Sequence, residues 1–323
     1  MQTGVKITAF AAALAATFGA TYGVGKGIDP VVAEGESASR ATHTEHEPAE
    51  RKQQEAQEAQ KGQEQSTSAG GLQISEGGYT LDLRTPRVEA RRSADLRFTI
   101  RDGEGRAVTS YQREHDKELH LIVASRDLVT YRHLHPARAA DGTWSIPVEL
   151  PRAGGYRVFA DFTPAKKGAE NLTLGADLAA SGPYEPKELP TANTTAKTDG
   201  YEVKLAGGLR PGEAGELELN VVRDGKPVTD LQPYLGAYGH LVALRSGDLA
   251  YLHVHPGGEP GDGRTKPGPG ISFTATAPSA GSYRLFLDFK HQGVVRTAAF
   301  TVHAGDGERG EAVDGGGSDA HRH

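Results

Sequence analysis

The chain has 323 residues, of which 37% are hydrophobic, and its formal net charge is -6. This acidic balance provides no basic surface, so a nucleic-acid partner is not expected. The sequence contains no cysteine, and its single methionine is Met1. Disulfides, thiolate metal sites, cysteine nucleophiles and methionine-rich copper(I) sites are therefore excluded. The length allows two ordinary domains, and the low hydrophobic fraction predicts that part of the chain is not packed.

The N-terminal residues have the pattern of an export signal. Lys6 is followed by an uncharged, largely apolar run over residues 7–24. A cleaved secretory signal and an uncleaved membrane anchor both fit this pattern. We predict a signal peptide or membrane anchor over residues 1–32. The body of the protein is then exported, and is either held at the cell membrane by this single segment or secreted.

Two further segments have a composition that disfavours packing. Residues 33–71 contain few large apolar side chains, and residues 305–323 are rich in glycine and polar residues. Such segments cannot bury enough apolar surface to offset the entropy lost on ordering. We predict a disordered tether at 33–71 and a disordered tail at 305–323.

Between these ends the sequence repeats itself once. Matched segments occur in the same order in both copies: residues 78–81 and 200–203, 133–136 and 253–256, and 156–162 and 283–289. The period is the size of a domain, which indicates a duplicated domain rather than a solenoid.

Each copy contains about seven short runs of strand character, separated by glycine and proline clusters, and no sustained helical period. This pattern is typical of an immunoglobulin-like sandwich. We therefore predict an all-β fold with two tandem immunoglobulin-like β-sandwiches, at 72–182 and 197–304, joined by a linker at 183–196.

Histidines provide the strongest chemical signal, because the pattern H-x12-H-x-H occurs once in each copy. The last two histidines are two positions apart on a predicted strand, so their rings share one face. The first lies on the preceding strand, and a hairpin between the strands would bring three imidazoles together. Three nitrogen ligands with an open fourth position are typical of zinc or copper(II). The predicted ligands are His120, His133 and His135 in the first copy and His240, His253 and His255 in the second.

Two aspartates occupy equivalent positions late in each copy. Asp161 and Asp288 each precede a phenylalanine on a predicted strand. Each would suit a fourth ligand position, or could accept a hydrogen bond from a ligand imidazole. The alternative is that both carboxylates simply face solvent. His115 and His291 have no counterpart in the other copy and are weaker candidates.

The segment Leu119-His120-Leu121-Ile122-Val123, followed by His133-Leu134-His135-Pro136, resembles a group of bacterial extracytoplasmic proteins that carry an LHxIV…HxHP signature. These heavy-metal-associated proteins are similar to YtkA-like and copper-resistance-type immunoglobulin-fold modules. The resemblance covers roughly residues 78–302. It implies a β-sandwich and transition-metal handling outside the cytoplasm.

We expect a non-enzymatic protein that binds copper(II) or zinc and acts in extracytoplasmic metal buffering or delivery. A membrane metal transporter or another extracytoplasmic protein is the candidate partner. One alternative is a cupin-like metalloenzyme, because residues 253–259 contain the partial motif HxH-x3-E. The first copy lacks the glutamate of this motif. The other alternative is a structural or adhesion module that binds no metal.

Overall fold

The computed structural model describes residues 69–252 and 254–305. The predicted anchor, the tail from residue 306 and the ligand candidate His253 lie outside the described residues, as does the tether up to residue 68. The regular elements of the described part are 20 β-strands. Within this part, no helix is long and apolar enough to cross a membrane.

The first sandwich consists of two five-stranded sheets. Their orders are β1-β2-β4-β8-β7 and β3-β10-β9-β5-β6. The only parallel pairing within this sandwich joins β3 to β10. The strands are β1 (Ser75–Glu76), β2 (Tyr79–Leu83), β3 (Arg87–Glu89), β4 (Ser93–Arg101), β5 (His120–Ser125), β6 (Tyr131–Leu134), β7 (Ala137–Arg138), β8 (Thr143–Glu149), β9 (Gly154–Phe162) and β10 (Leu172–Ser181).

The second sandwich repeats this arrangement with small differences. One sheet has the order β11-β12-β13-β18-β17, with β14 paired to β13, and the other has the order β16-β15-β19-β20. The predicted fold of two tandem immunoglobulin-like β-sandwiches is confirmed. The strands are β11 (Thr195–Thr198), β12 (Tyr201–Gly207), β13 (Ala214–Arg223), β14 (Lys226–Pro227), β15 (Gly239–Arg245), β16 (Tyr251–Leu252), β17 (Val254–Pro256), β18 (Gly270–Thr276), β19 (Gly281–His291) and β20 (Val294–Ala304).

Each sandwich has its own hydrophobic core, built from the inward-facing residues that alternate with outward-facing ones along its strands. A buried tyrosine of each core also bonds to the chain just upstream. The hydroxyl of Tyr156 donates to the carbonyl of Arg152 at 2.8 Å, and that of Tyr283 donates to the carbonyl of Ser279 at 2.7 Å. This is the tyrosine corner that is typical of immunoglobulin-like sandwiches.

Replacing Tyr156 or Tyr283 with phenylalanine should lower the free energy of unfolding by about 1 kcal/mol in each case, since the hydrogen bond to the upstream carbonyl is lost while the ring stays packed. Urea unfolding monitored by circular dichroism measures this change. Tyr238→Phe, which alters a partly buried tyrosine outside the two corners, is the matched control. Equal stabilities of all three variants would contradict the structural role of the corners.

A third apolar cluster joins the two sandwiches through the outer faces of the β5–β9 and β15–β19 sheets. The rings of Tyr131 and Phe286 stack at a centroid distance of 4.1 Å, and those of Phe159 and Tyr251 lie 5.6 Å apart. The remaining fully buried members are Ile122, Ala124, Leu128, Val242, Leu244 and Leu249. Both sheets are therefore covered on both faces, and the two sandwiches form one packed unit over this contact.

The end of the predicted tether is not disordered. Gly70 pairs with Tyr251 of the second sandwich through two backbone hydrogen bonds, of 3.1 and 2.9 Å. The amide of Gly71 donates to Thr173 at 2.8 Å. The buried Arg157 donates from Nε to the carbonyl of Gly71 at 2.7 Å. Because these bonds satisfy the backbone polar groups, residues 69–71 belong to the folded body.

Candidate metal centre

The first histidine set lies where β5 and β6 meet at the interface. Within the β5–β6 pair, Leu121 lies opposite Leu134 and Ile122 opposite His133. His120 and His133 therefore share the outer face with Ile122, and point toward the second sandwich. His135 follows immediately after β6. The hairpin predicted from the sequence is thus present in the first copy.

The three imidazoles of the triad His120, His133 and His135 converge on one point. Their ring centroids are separated by 5.3 Å (His120–His133), 5.2 Å (His120–His135) and 4.8 Å (His133–His135). One ligand atom from each ring can be chosen so that all three lie within 4.8 Å of one another. The described residues contain no other such group of three or more histidine, aspartate or glutamate ligands.

Oxygen acceptors fix the tautomers of two of these rings. Nε2 of His120 lies 3.2 Å from the carbonyl oxygen of Glu114, and Nδ1 of His133 lies 2.9 Å from Oδ2 of Asp288. Both oxygens can only accept, so those nitrogens carry the hydrogens of the neutral rings. The opposite nitrogens, Nδ1 of His120 and Nε2 of His133, then face each other as lone pairs at 3.1 Å. Two acceptors at this distance repel each other unless a cation lies between them.

His135 contributes a third unsatisfied nitrogen. Its Nε2 is buried and has no hydrogen-bond partner among the described residues. Buried polar atoms are rarely left unpaired, and such an atom calls for an explanation such as a bound ion or a water.

Burial keeps the imidazoles of His120 and His135 neutral. Burial, followed by the charge of the neighbouring His133, lowers the pKa of His120 to about 2. Burial also lowers the pKa of His135 to about 3, with further contributions from His133 and Lys117. Desolvation disfavours the charged form of a histidine, and so does a nearby positive charge. These rings are therefore available as neutral ligands at physiological pH.

The partner of His133 comes from the other sandwich. Asp288 is buried, and its carboxylate accepts from His133 Nδ1 at 2.9 Å, from the hydroxyl of Tyr131 at 3.2 Å and from that of Thr297 at 2.5 Å. The sequence predicted Asp288 as a fourth ligand or as a hydrogen-bond partner of a ligand imidazole. Its carboxylate accepts a hydrogen bond from the histidine of the first copy, because the outer faces of the two sheets pack together.

Asp161 occupies the mirror position. It lies opposite His120 in the β5–β9 pair, as Asp288 lies opposite His240 in the β15–β19 pair. Its carboxylate accepts from the side-chain amide of Asn171 at 2.7 Å and hydrogen bonds to Tyr251 of the second sandwich. Each aspartate therefore accepts from a tyrosine of the opposite sandwich, Tyr131 in one case and Tyr251 in the other. Burial, followed by the nearby carboxylate, raises the pKa of both tyrosines well above the usual value.

The second histidine set is arranged differently from the first. His240 lies at the interface, and its ring centroid is 5.9 Å from that of His133. His255 is exposed on β17, which pairs with β18 in the other sheet of the sandwich. In the first copy the chain crosses to the other sheet at β7, which begins at Ala137. In the second copy it crosses at β17, which begins at Val254, three positions earlier relative to the HxH pair. Because His253 lies outside the described residues, a separate second set remains a prediction.

A cavity of about 480 Å³ adjoins the triad and is lined by residues of both sandwiches. The histidines on its wall include His115, which the sequence ranked as a weak candidate, and its ring centroid lies 5.0 Å from that of His240. Glu114 and Asp161 also line it, linked by the amide of Asn171. Sequence reasoning missed Tyr131 and Tyr251, although both tyrosines precede the matched HxH pairs by two positions.

Several solved structures resemble the chain at low sequence identity and low TM-score. The FdeC adhesin of Escherichia coli shares 15% identity at a TM-score of 0.22, over 72% of this chain and 65% of that one. InvD of Yersinia pseudotuberculosis shares 12% identity at a TM-score of 0.23, over 74% and 62% of the two chains. A Corynebacterium diphtheriae protein described as membrane anchored shares 10% identity at a TM-score of 0.22, over 72% of this chain and 60% of that one. The chain thus spans less than two thirds of each of these structures, and similarities this low carry no information on function.

No curated protein matches the chain. The family described as "Domain of unknown function (DUF8832)" matches it twice, over residues 73–172 and 196–306. These two ranges correspond to the two sandwiches and cover more than half of the sequence. The chain therefore belongs to the DUF8832 family and carries two copies of its domain.

Proposed function

We propose that the protein is a non-enzymatic metal-binding protein that holds copper(II) or zinc on His120, His133 and His135. The observation that supports this most is the convergence of three imidazoles, in which the lone pairs of His120 and His133 face each other and Nε2 of His135 is buried without a hydrogen-bond partner. Asp288 and the carbonyl of Glu114 fix two of the rings in the orientation that a ligand requires. Such outer partners are typical of metal-bound histidines.

The dimensions of the triad fit a tetrahedral ion. Zinc–nitrogen bonds are about 2.0–2.1 Å long, so two ligand nitrogens around one ion lie roughly 3.3 Å apart. Nδ1 of His120 and Nε2 of His133 are 3.1 Å apart. The ring centroids of such ligands are then about 5.2 Å apart, close to the observed 4.8–5.3 Å. Nitrogen donors without thiolate or thioether ligands favour copper(II) and zinc over copper(I).

The second candidate is a structural or adhesion module in which the histidines only support the interface. Two observations favour it: the buried hydrogen bond between His133 and Asp288, and the apolar cluster that joins the sandwiches. It leaves the contact between Nδ1 of His120 and Nε2 of His133 unexplained when both rings are neutral. The cupin-like alternative is not retained, because Glu259 is exposed in the loop after β17 and the fold is a pair of two-sheet sandwiches.

Metal binding by the untagged protein tests the proposal. Full-length protein, freed of metal by chelation and dialysed against zinc or copper(II) at pH 7.5, should retain at least one ion per chain by elemental analysis. Isothermal titration should give a Kd of about 1 μM or lower, because the protein supplies three imidazole ligands that are already held in position. Retention of no ion at neutral pH would leave the metal-free module as the function.

The same proposal places the protein outside the cytoplasm, with the N-terminal segment as signal or anchor and a metal transporter or other extracytoplasmic protein as candidate partner. The resemblance to heavy-metal-associated proteins stays a prediction. Fractionation of the native cells, with the membrane fraction probed by an antibody to the sandwiches, tests the location.

A further inference from the structure

His240 of the second sandwich faces the triad across the interface. Its Nε2 lies 3.0 Å from the carbonyl oxygen of Tyr234 and 3.1 Å from that of Leu235. Both carbonyls can only accept, so Nε2 carries the hydrogen and Nδ1 carries the lone pair. Nδ1 has no hydrogen-bond partner among the described residues. His240 is thus anchored as His120 is, by the carbonyl of the residue six positions earlier.

The position of this ring is close to that of a fourth ligand. Its centroid lies 6.1 Å from that of His120 and 5.9 Å from that of His133. Ligand rings of one tetrahedral ion have centroids about 5.2 Å apart, so His240 would have to move about 1 Å closer to His120 and His133 to share their ion. His240 lines the same cavity as two triad rings, His120 and His133.

We propose that His240 is the fourth ligand, so that a single ion bridges the two sandwiches. This inference rests on the proposed metal-binding function. It makes metal binding and domain docking one linked equilibrium, because three ligands come from one sandwich and the fourth, together with Asp288, comes from the other. By linkage, an ion that binds the docked form more tightly must stabilise docking to the same extent.

His240→Ala tests the ligand directly. The zinc Kd of the full-length variant should rise at least 30-fold, and X-ray absorption spectra should show three imidazoles on the ion instead of four. His303→Ala removes an exposed histidine on β20 and should bind as the wild type does. An affinity within twofold of the wild type, with an unchanged imidazole count, would overturn the proposal.

The outcomes separate this inference from the function on which it rests. If the wild type binds no metal, the proposed function itself fails. If it binds two ions and His240→Ala loses one while the other keeps its affinity and its imidazoles, only the bridge is wrong.

A variant remote from the ligands tests the linkage. Leu249 is fully buried in the interface and has a φ of 65°. Asparagine tolerates this backbone conformation, so Leu249→Asn removes the apolar contact without straining the turn. Once hydrogen exchange has shown that the interface of the metal-free variant is less protected, we expect its zinc Kd to rise about 10-fold and zinc to restore protection. Wild-type affinity in a variant with a loosened interface would show that the ion does not bridge the sandwiches.

Discussion

The variant with both His120 and His135 replaced by alanine should lose tight metal binding, with a Kd at least about 1000-fold higher than that of the wild type. Loss of an outer hydrogen-bond partner alone costs roughly 10–100-fold in metal affinity, and this variant loses two of the three converging nitrogens. His133 keeps its hydrogen bond to Asp288, so no buried carboxylate is left without its partner. The interface should remain intact.

Isothermal titration with zinc and copper(II) measures the effect, and circular dichroism checks that the variant is folded. His303→Ala is the matched control. A double variant that binds with wild-type affinity would place the ion elsewhere in the chain, and the metal-free module would become the better account of the triad.

Much of the fold could be predicted from local sequence patterns. Short runs of strand character were expected throughout both copies, and the strands that form there include β2 over Tyr79–Leu83. In β19 the inward residues, Tyr283 and Leu285 among them, alternate with outward ones, and this period of two fixes which face enters the core. Glycine and proline clusters separate the strands in both copies. The position of a strand depends mainly on residues that are neighbours in the sequence, so these local signals are enough to predict it.

The packing of the sandwiches against each other was not predicted, although the sequence contains a signal for it. Residues 121–124 are apolar at every position, which is typical of a strand that is buried on both faces. Phe286 breaks the alternation of β19 on its outward side, and it is buried against Tyr131. An outer face rich in apolar residues, repeated in both copies, indicates two surfaces that cover each other.

The site was predictable only in part for the same reason. The spacing of His120, His133 and His135 defines a hairpin, and a hairpin brings its own residues together. No local rule pairs His133 with Asp288, which lies 155 residues away. The earlier change of sheet at β17 is equally hidden, because it depends on how the strand end packs. Contacts between the sandwiches therefore had to come from the structure.

Acid should destabilise the metal-free protein through the interface histidines. Burial lowers the pKa of His120 to about 2, that of His135 to about 3 and that of His240 to about 4. In the unfolded chain a histidine has a pKa of about 6.5. Below pH 6.5 the unfolded or opened form therefore binds more protons than the native form. The stabilisation is fully present above pH 6.5 and is lost as the pH falls from there toward the native pKa values.

As the pH falls from 7.5 to 5.0, each of these histidines lowers the free energy of unfolding by up to about 2 kcal/mol. His135 and His240 both contribute to the low pKa of His120, and His240 contributes to that of His135, so the three losses do not simply add. Because His135 is also partly screened by solvent, we expect a combined loss of about 3–5 kcal/mol. Urea unfolding measures it through the fluorescence of Trp144, the single tryptophan, which is buried in the first sandwich. X-ray scattering at pH 5.0 should also show separated sandwiches.

The variant with His120, His135 and His240 all replaced by glutamine isolates the cause. It retains polar side chains at the interface but lacks the three imidazoles whose pKa burial lowers. Its loss of stability over this range should shrink to about 1–2 kcal/mol, because most of the proton uptake linked to opening has been removed. A loss as large as that of the wild type would show that acid acts elsewhere, and that these three rings are already accessible to protons in the native protein.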